Sequence, residues 1–184
     1  QLIATNVGSR LSYIHMFERA PGELWVTTMQ GGLRVVLHEA DFLKPLPTVV
    51  AFGDSTTARR EGLTVYSELL RRGLFERGTP ATLINAGVGG HSTADGLARM
   101  QRDVLDRRPA VAVIQFGIND AAMDVWKNPP ATTPRVPLEQ YRRNLATMLD
   151  KLKAHGIAAV LMTPNPMAWS EQTRQLYGKP PYDP

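Results

Sequence analysis

The sequence contains no cysteine, which excludes disulfide bonds and thiolate metal sites. It also contains no apolar run near the roughly 18 residues that a membrane-spanning helix needs. The longest runs, residues 110–116 and 156–162, have the length of strands. No basic stretch followed by an apolar core begins the chain, so no signal peptide is recognisable. The 184 residues, 43% of them hydrophobic and 21% charged, indicate a globular domain with a small appendage and no membrane span.

The net charge of +4 raises the question of nucleic-acid binding. Interleaved acids and scattered arginine pairs are typical of solvated helix faces rather than of a surface that follows phosphates, so we predict no nucleic-acid partner. The glycine loops lack the G-x-x-x-x-G-K and G-x-G-x-x-G patterns, and the chain lacks His-Glu-x-x-His. We therefore predict no cofactor and no metal. The arginine pairs are Arg59-Arg60, Arg71-Arg72, Arg107-Arg108 and Arg142-Arg143.

From residue 48 onward, strand patterns alternate with helical patterns. The clearest helical stripe begins after Pro137, a residue suited to a helix start, and ends at Gly156. Strand–helix–strand repeats with nearly continuous apolar strands predict an α/β fold with a parallel sheet covered on both faces. The predicted strands are residues 48–52, 81–85, 110–116 and 158–163.

The first 47 residues have a different, β-rich pattern. Two runs within residues 23–42 are joined through Gly31-Gly32, which predicts a hairpin turn. Residues 11–17 predict a third strand before the turn Ala20-Pro21-Gly22, and residues 41–47 predict a connector. So small a sheet is marginal alone, and we expect it to pack on the main domain or to belong to a larger β module. We therefore divide the chain into a β-rich segment, 1–47, and an α/β domain, 48–184.

Three predicted strand ends carry polar residues. The first strand stops at GDS, residues 53–55; the next loop reads NAGVGGHST, residues 85–93; the third reads FGIND, residues 116–120. Loops at the carboxyl ends of parallel strands meet at one edge of the sheet. Together they would supply a hydroxyl, glycine backbone N–H groups and a carboxamide beside a carboxylate. This set suits acyl transfer, in which a nucleophile attacks and N–H donors stabilise an oxyanion.

Each motif alone has a simpler interpretation. Ser55 with Thr56 and Thr57 could cap the following helix or form an anion-binding turn. The glycine run could be only a tight turn, and Asn119-Asp120 an ordinary turn pair. Their joint occurrence favours a catalytic site. The chain has no G-x-S-x-G, so the nucleophile elbow of the α/β-hydrolases is excluded.

The segments FGDST, NAGVGGHST and GIND resemble, in this order, the first three sequence blocks of the GDSL/SGNH hydrolases. These are esterases and acylhydrolases with a flavodoxin-like sheet, so the resemblance implies a three-layer α/β/α fold and a serine ester hydrolase. It implies Ser55 as nucleophile and as an oxyanion donor through its own N–H, with Gly90 and Asn119 as further donors. It also implies that Asp54 and Asp120 orient these loops without a chemical role.

The family takes its base from an Asp-x-x-His block after a fifth strand, and this chain contains no Asp-x-x-His. We therefore expect a truncated chain that lacks the fifth strand, the last helix and the base, and that is nearly inactive alone. The alternative is a catalytically incomplete binding module for an ester, sugar or anion. His91 follows Gly90, and we predict that it braces the loop or contacts substrate. The other histidines are predicted to be structural: His15, His38 and His155.

Two long, proline-rich loops, residues 121–137 and 165–184, follow the third and fourth strands. Each carries a tryptophan, Trp126 and Trp169, which could contact a sugar ring or an acyl chain, or simply pack the loop on the domain. The β-rich leader favours carbohydrate, because some relatives with β-sandwich leaders deacetylate polysaccharides. We predict a small-molecule or carbohydrate ester as substrate, and an extracytoplasmic or secreted protein.

Overall fold

The computed structural model of the protein describes residues 14–28, 34–42, 45–125, 127–165 and 171. The chain divides into two units, Gln1–Leu46 and Pro47–Pro184. Within the described ranges, every helix is too short or too polar to cross a bilayer.

The N-terminal unit is an antiparallel sheet in the order β1-β2-β3, formed by Ile14–Ala20, Glu23–Thr28 and Arg34–His38. Gly22, at φ 77°, makes the turn between β1 and β2. β1 continues three residues beyond the prediction because its pairing with β2 extends to Ala20. The expected hairpin turn at Gly31-Gly32 lies outside the described residues.

A short helix, α1 (Glu39–Phe42), replaces the start of the connector predicted for residues 41–47. Its first turn carries Glu39 and Asp41, and acidic side chains there are favoured by the partial positive charge of a helix N-terminus.

The second unit has the predicted α/β fold with a parallel sheet. The strands lie in the order β5-β4-β6-β7, which puts β4, the strand that precedes Ser55, inside the sheet. They are β4 (Thr48–Gly53), β5 (Thr82–Gly87), β6 (Val111–Gln115) and β7 (Ala158–Leu161). The helices are α2 (Tyr66–Glu76), α3 (Thr93–Asp103), a 3-10 turn (Leu105–Arg107), α4 (Ile118–Ala121) and α5 (Leu138–Ala154).

The strand ends differ from the prediction by one or two residues. β4 and β5 continue to Gly53 and Gly87, which pair with each other, because glycine at these positions lets the backbones stay close. β7 ends at Leu161, opposite Ile114, and the last bond of this ladder runs from Met162 N to Ile114 O.

Helices lie on both faces of the sheet. On one face, Phe52 and Ile114 of the strands pack with Met148 of α5 in a buried core. Phe52 also meets Phe116 edge to face, with ring centroids 5.3 Å apart. On the other face, α2 packs beside an apolar groove. The groove is lined by Val49, Tyr66, Leu70, Leu74, Val111, Val113, Val160 and Met162.

The helix ends follow local chemistry. α3 begins at a capping box, in which the Ser92 hydroxyl accepts from Asp95 N and the Asp95 carboxylate accepts from Ser92 N. Pro137 is the cap residue of α5, one position before the first helical residue. The helix ends at Ala154 with His155 as its cap residue, and Gly156, at φ 67°, turns the chain into β7.

Candidate active site

The ends of β4, β5 and β6 lie side by side. Gly53 pairs with Gly87 on one side and with Gln115 on the other. A Cβ atom on Gly87 would lie 2.6 Å from Cα of Ala58, and one on Gly53 would lie 2.9 Å from Cβ of Thr57. Only glycine therefore leaves room for the turn after β4, and the three polar loops meet at one edge of the sheet.

Ser55 lies half-buried in the turn that follows β4. The neighbouring Asp54 is buried, and its Oδ1 accepts from the backbone N and the hydroxyl of Thr56, both at 2.8 Å. The Asp54 carbonyl accepts from Ala58 N at 3.0 Å. On the side of β6, Oε1 of Gln115 lies 3.1 Å from the Thr56 hydroxyl oxygen. These contacts fix the conformation of the turn around the serine.

The glycine loop after β5 packs against this turn. A Cβ atom on Gly89 would lie 3.9 Å from Cβ of Ser55, an ordinary contact distance. Gly90 has φ 79°, and a Cβ atom there would meet nothing within 4 Å. Backbone conformation rather than lack of space therefore favours glycine at position 90.

Asn119 joins the site from α4. Its Nδ2 donates to the carbonyl of His91 at 3.0 Å, which places the carboxamide beside the loop that carries Gly90. This bond and the closeness of Gly89 to Ser55 place the four predicted residues on adjoining loops: Ser55, Gly90, His91 and Asn119. Two other predicted substrate contacts, Trp126 and Trp169, lie outside the described residues.

Asp120 is buried behind the site and holds α4 against the start of α3. Its two carboxylate oxygens accept from Thr93 N at 3.0 and 3.1 Å, and one also accepts from the Thr93 hydroxyl. The Thr93 hydroxyl oxygen accepts in turn from Nδ2 of Asn144 in α5, at 2.9 Å. Burial raises the pKa of Asp120, and the bonds from Thr93 oppose this shift.

The loops at this edge of the sheet lie within a segment of the chain that matches a known protein family. Residues 51–179 match the sequence model of the GDSL-like lipase/acylhydrolase family, which covers more than half of the chain. The chain belongs to this family.

Three relatives show how far the likeness extends. The uncharacterized lipoprotein YqeF of Bacillus subtilis is 36% identical over 136 residues, 70% of this chain and 53% of that protein. An acetylxylan esterase of Geobacillus stearothermophilus is 30% identical over 105 residues, 53% of this chain and 46% of that protein. The chain thus spans about half the length of these curated relatives. The crystal structure of the lipase/acylhydrolase from Enterococcus faecalis superposes with a TM-score of 0.56 at 29% identity, covering 73% of this chain and 64% of that one.

In this GDSL-like chain, the loop between α4 and α5 is held together around the carboxylate of Asp124, a residue that the sequence analysis missed. Asp124 is buried, and its Oδ atoms lie 2.6 Å from Nζ of Lys127 and 2.7 Å from Nη2 of Arg135. Arg135 and Lys127 lower the pKa of Asp124. Backbone bonds from Arg135 N to Ala122 O and from Val136 N to Asp120 O join the two ends of the loop.

A second residue that the sequence analysis missed is Arg99 of α3. It is buried, and its Nε donates to Nδ1 of His91. The one local signal was Asp103, four residues later, because an Arg–Asp pair at this spacing lies on one helix face.

Proposed function

We propose that this chain carries the nucleophile and oxyanion donors of a serine-dependent carboxylic ester hydrolase that acts through an acyl-enzyme. The observation that supports the proposal is that the loops carrying Ser55, Gly90 and Asn119 adjoin one another at one edge of the sheet. These residues stand in the three motifs of a family that is named for lipase and acylhydrolase activity. A hydroxyl facing fixed N–H donors is the arrangement that acyl transfer needs.

In the proposed reaction, Oγ of Ser55 attacks the ester carbonyl carbon and its proton passes to a histidine base. The carbonyl oxygen, now negative, is stabilised by the backbone N–H groups of Ser55 and Gly90 and by Nδ2 of Asn119. The alcohol leaves with the proton from the histidine, and the acyl group stays on Ser55. Water, activated by the same histidine, then attacks the acyl-enzyme, releases the acid and restores the hydroxyl.

The base of this reaction is not one of the two histidines of the α/β unit. Nδ1 of His91 already accepts from Nε of Arg99, at 3.2 Å. His155 follows α5 and lies near the start of β7, at the sheet edge opposite to the loops. We propose that the base is a histidine of the family's Asp-x-x-His block, which these 184 residues do not contain.

For the bracing residues, we propose that Asp54 holds the nucleophile turn and that Asp120 holds α4, which carries Asn119. For the substrate, we propose a small-molecule or carbohydrate ester, which the name of the acetylxylan esterase relative supports. Contacts from Trp126 and Trp169 to that substrate remain predictions. An extracytoplasmic location is supported by the relative named as a lipoprotein.

The experiment that tests the proposal is labelling of the full-length protein with a fluorophosphonate, followed by mass spectrometry of the peptide around Ser55. We expect one equivalent on Ser55, no labelling and no turnover of p-nitrophenyl acetate in Ser55→Ala, and normal labelling in Thr147→Ala. Thr147 is a matched control because it is an exposed hydroxyl on α5. Asn119→Ala should lower kcat by about 10²–10³, the usual effect of losing one oxyanion donor.

The second candidate, a binding module for an ester, sugar or anion, gives the opposite result. A folded full-length protein that binds acetylated xylo-oligosaccharide by calorimetry, but leaves Ser55 unlabelled and the ester intact, would refute the hydrolase and support the module.

A further inference from the structure

Arg99 lies beneath the site and reaches the ends of two strands. Its Nη2 donates to the carbonyl of Gly53 at 2.8 Å, and its Nη1 donates to the carbonyl of Ala86 at 2.8 Å. Gly53 ends β4, two residues before Ser55, and Ala86 is the penultimate residue of β5, four residues before Gly90. One planar guanidinium thus fixes the spacing between the backbones that lead to both loops.

The same side chain also contacts the glycine loop directly. Nε of Arg99 donates to Nδ1 of His91 at 3.2 Å. The carbonyl of His91 accepts from Nδ2 of Asn119 at 3.0 Å. A path of two hydrogen bonds and one residue therefore leads from Arg99 to the carboxamide proposed as an oxyanion donor.

The bond to His91 also determines the state of the imidazole. Arginine has no acceptor, so Nδ1 of His91 must accept, and a neutral imidazole that accepts at Nδ1 carries its proton on Nε2. In this arrangement His91 offers a hydrogen-bond donor at Nε2 and has no lone pair free to act as a base.

The environment of Arg99 is built for a guanidinium. The side chain is buried, its charge is paired with Asp103 at 2.9 Å, and its Cζ lies 4.4 Å from the ring centre of Phe52. Four acceptors in different directions use the fixed fork of five N–H donors, which the single ammonium of lysine cannot reproduce. Burial of a charge is costly unless it is paired and hydrogen-bonded, and every bond named here offsets that cost.

We infer that Arg99 is a positioning residue of this site, which holds the loops of Ser55, Gly90 and Asn119 in register and keeps His91 as an Nε2–H donor. The inference rests on the proposed function, because it assigns Arg99 a role in placing the oxyanion donors. It predicts a loss in kcat rather than in KM, since misplaced oxyanion donors weaken binding of the transition state more than binding of the ester.

The test uses the full-length protein with Arg99→Lys and, as matched control, Arg102→Lys. Arg102 is a neighbouring arginine of α3 that also pairs with Asp103, at 2.7 Å, but its side chain is mostly exposed. We expect Arg99→Lys to lower kcat on p-nitrophenyl acetate by about 10²-fold, the scale of a 1 Å misplacement, with KM within a few-fold. Arg102→Lys should keep kcat within twofold.

A readout independent of turnover is the state of the His91 ring nitrogens, measured by long-range ¹H–¹⁵N correlation. We expect the Nε2–H tautomer in the wild type and in Arg102→Lys, and a shift away from it in Arg99→Lys. A wild-type His91 that carries its proton on Nδ1, or an Arg99→Lys variant with wild-type kcat, would overturn the inference.

A second pair of variants covers the case in which Arg99→Lys does not fold. His91→Asn keeps an acceptor near the position of Nδ1, whereas His91→Leu removes it and leaves the other bonds of Arg99 intact. We expect His91→Leu to lose kcat and His91→Asn to recover part of that loss; equal kcat in both variants contradicts the inference. If the folded protein hydrolyses no ester, the proposed function fails, and the signals of His91 and of the Asn119 side-chain amide still decide whether Arg99 holds the loops.

Discussion

Adding one methyl group at Gly87 should separate the turn that carries Ser55 from its neighbouring strand. A Cβ atom at this position would lie 2.6 Å from both Cα of Ala58 and the carbonyl carbon of Thr57. Carbon atoms in favourable contact are about 3.5–4.0 Å apart, so Gly87→Ala requires a displacement of about 1 Å. Gly87 has no positive φ, so the cost comes from the contact rather than from the backbone conformation.

The size of the effect of Gly87→Ala depends on how easily the turn after β4 can move. The turn is backbone held by bonds to Asp54 O and Asp54 Oδ1, so it cannot yield as the end of a flexible side chain would. Overpacking of this kind typically costs about 1–3 kcal/mol of stability, and we expect the upper part of that range. Because the displaced segment carries Ser55, the proposed nucleophile, a shift of about 1 Å should also lower kcat by about 10²-fold.

The assay combines urea unfolding of the full-length protein with hydrolysis of p-nitrophenyl acetate. Gly73→Ala is the matched control, since Gly73 lies inside α2 and a Cβ atom there would meet nothing within 4 Å. This control should gain about 0.5–1 kcal/mol, because glycine weakens a helix interior. If Gly87→Ala keeps the wild-type free energy of unfolding and the wild-type kcat, the close contact between β5 and the turn is wrong.

Three further predictions concern stability. Ser92→Ala should lower the free energy of unfolding by about 0.5–2 kcal/mol in urea titrations, because it removes the hydroxyl that caps α3; an unchanged value contradicts the capping box. Met148→Ala should cost about 2–5 kcal/mol in the same assay, whereas Leu138→Ala, at an exposed position of α5, should stay within about 0.5 kcal/mol. Burial raises the pKa of Asp120, so the folded protein favours the protonated carboxyl group. The stability gained from this protonation is complete below the unfolded pKa near 3.8 and is lost as pH rises through the folded pKa. Asp120→Asn should therefore remove part of the decline in stability over that pH range, and an identical pH dependence in both proteins would disprove it.

The convergence of the three candidate loops could be predicted from sequence because each motif combines a strand end with residues of restricted chemistry. Gly53 and Gly87 mark places where a side chain would not fit, and the parallel topology brings the loops after them to one edge. The limits of α5 could be predicted from sequence as well, since its apolar stripe lies between Pro137 and Gly156. These features depend on local sequence and on one general rule of sheet topology.

Arg99 and Asp124 could not be found in the same way, because their roles depend on distant partners. Arg99 reaches carbonyl groups of Gly53 and Ala86, 46 and 13 residues away, and a backbone carbonyl leaves no mark in the sequence. Asp124 is distinguished from other loop acids only by its burial between Lys127 and Arg135. The strand ends were missed by one or two residues for a related reason, since pairing across the sheet sets them.

The two ends of the loop between α4 and α5 are tied together, so the ends and the tip of this loop are free to change to different extents during evolution. Asp124, its two basic partners and the backbone bonds to Ala122 and Asp120 tie the loop where it leaves and rejoins the domain. Insertions or deletions at its tip would then leave the anchor of Asn119 undisturbed. A descendant chain could therefore change the length of this tip while keeping the ties at its two ends.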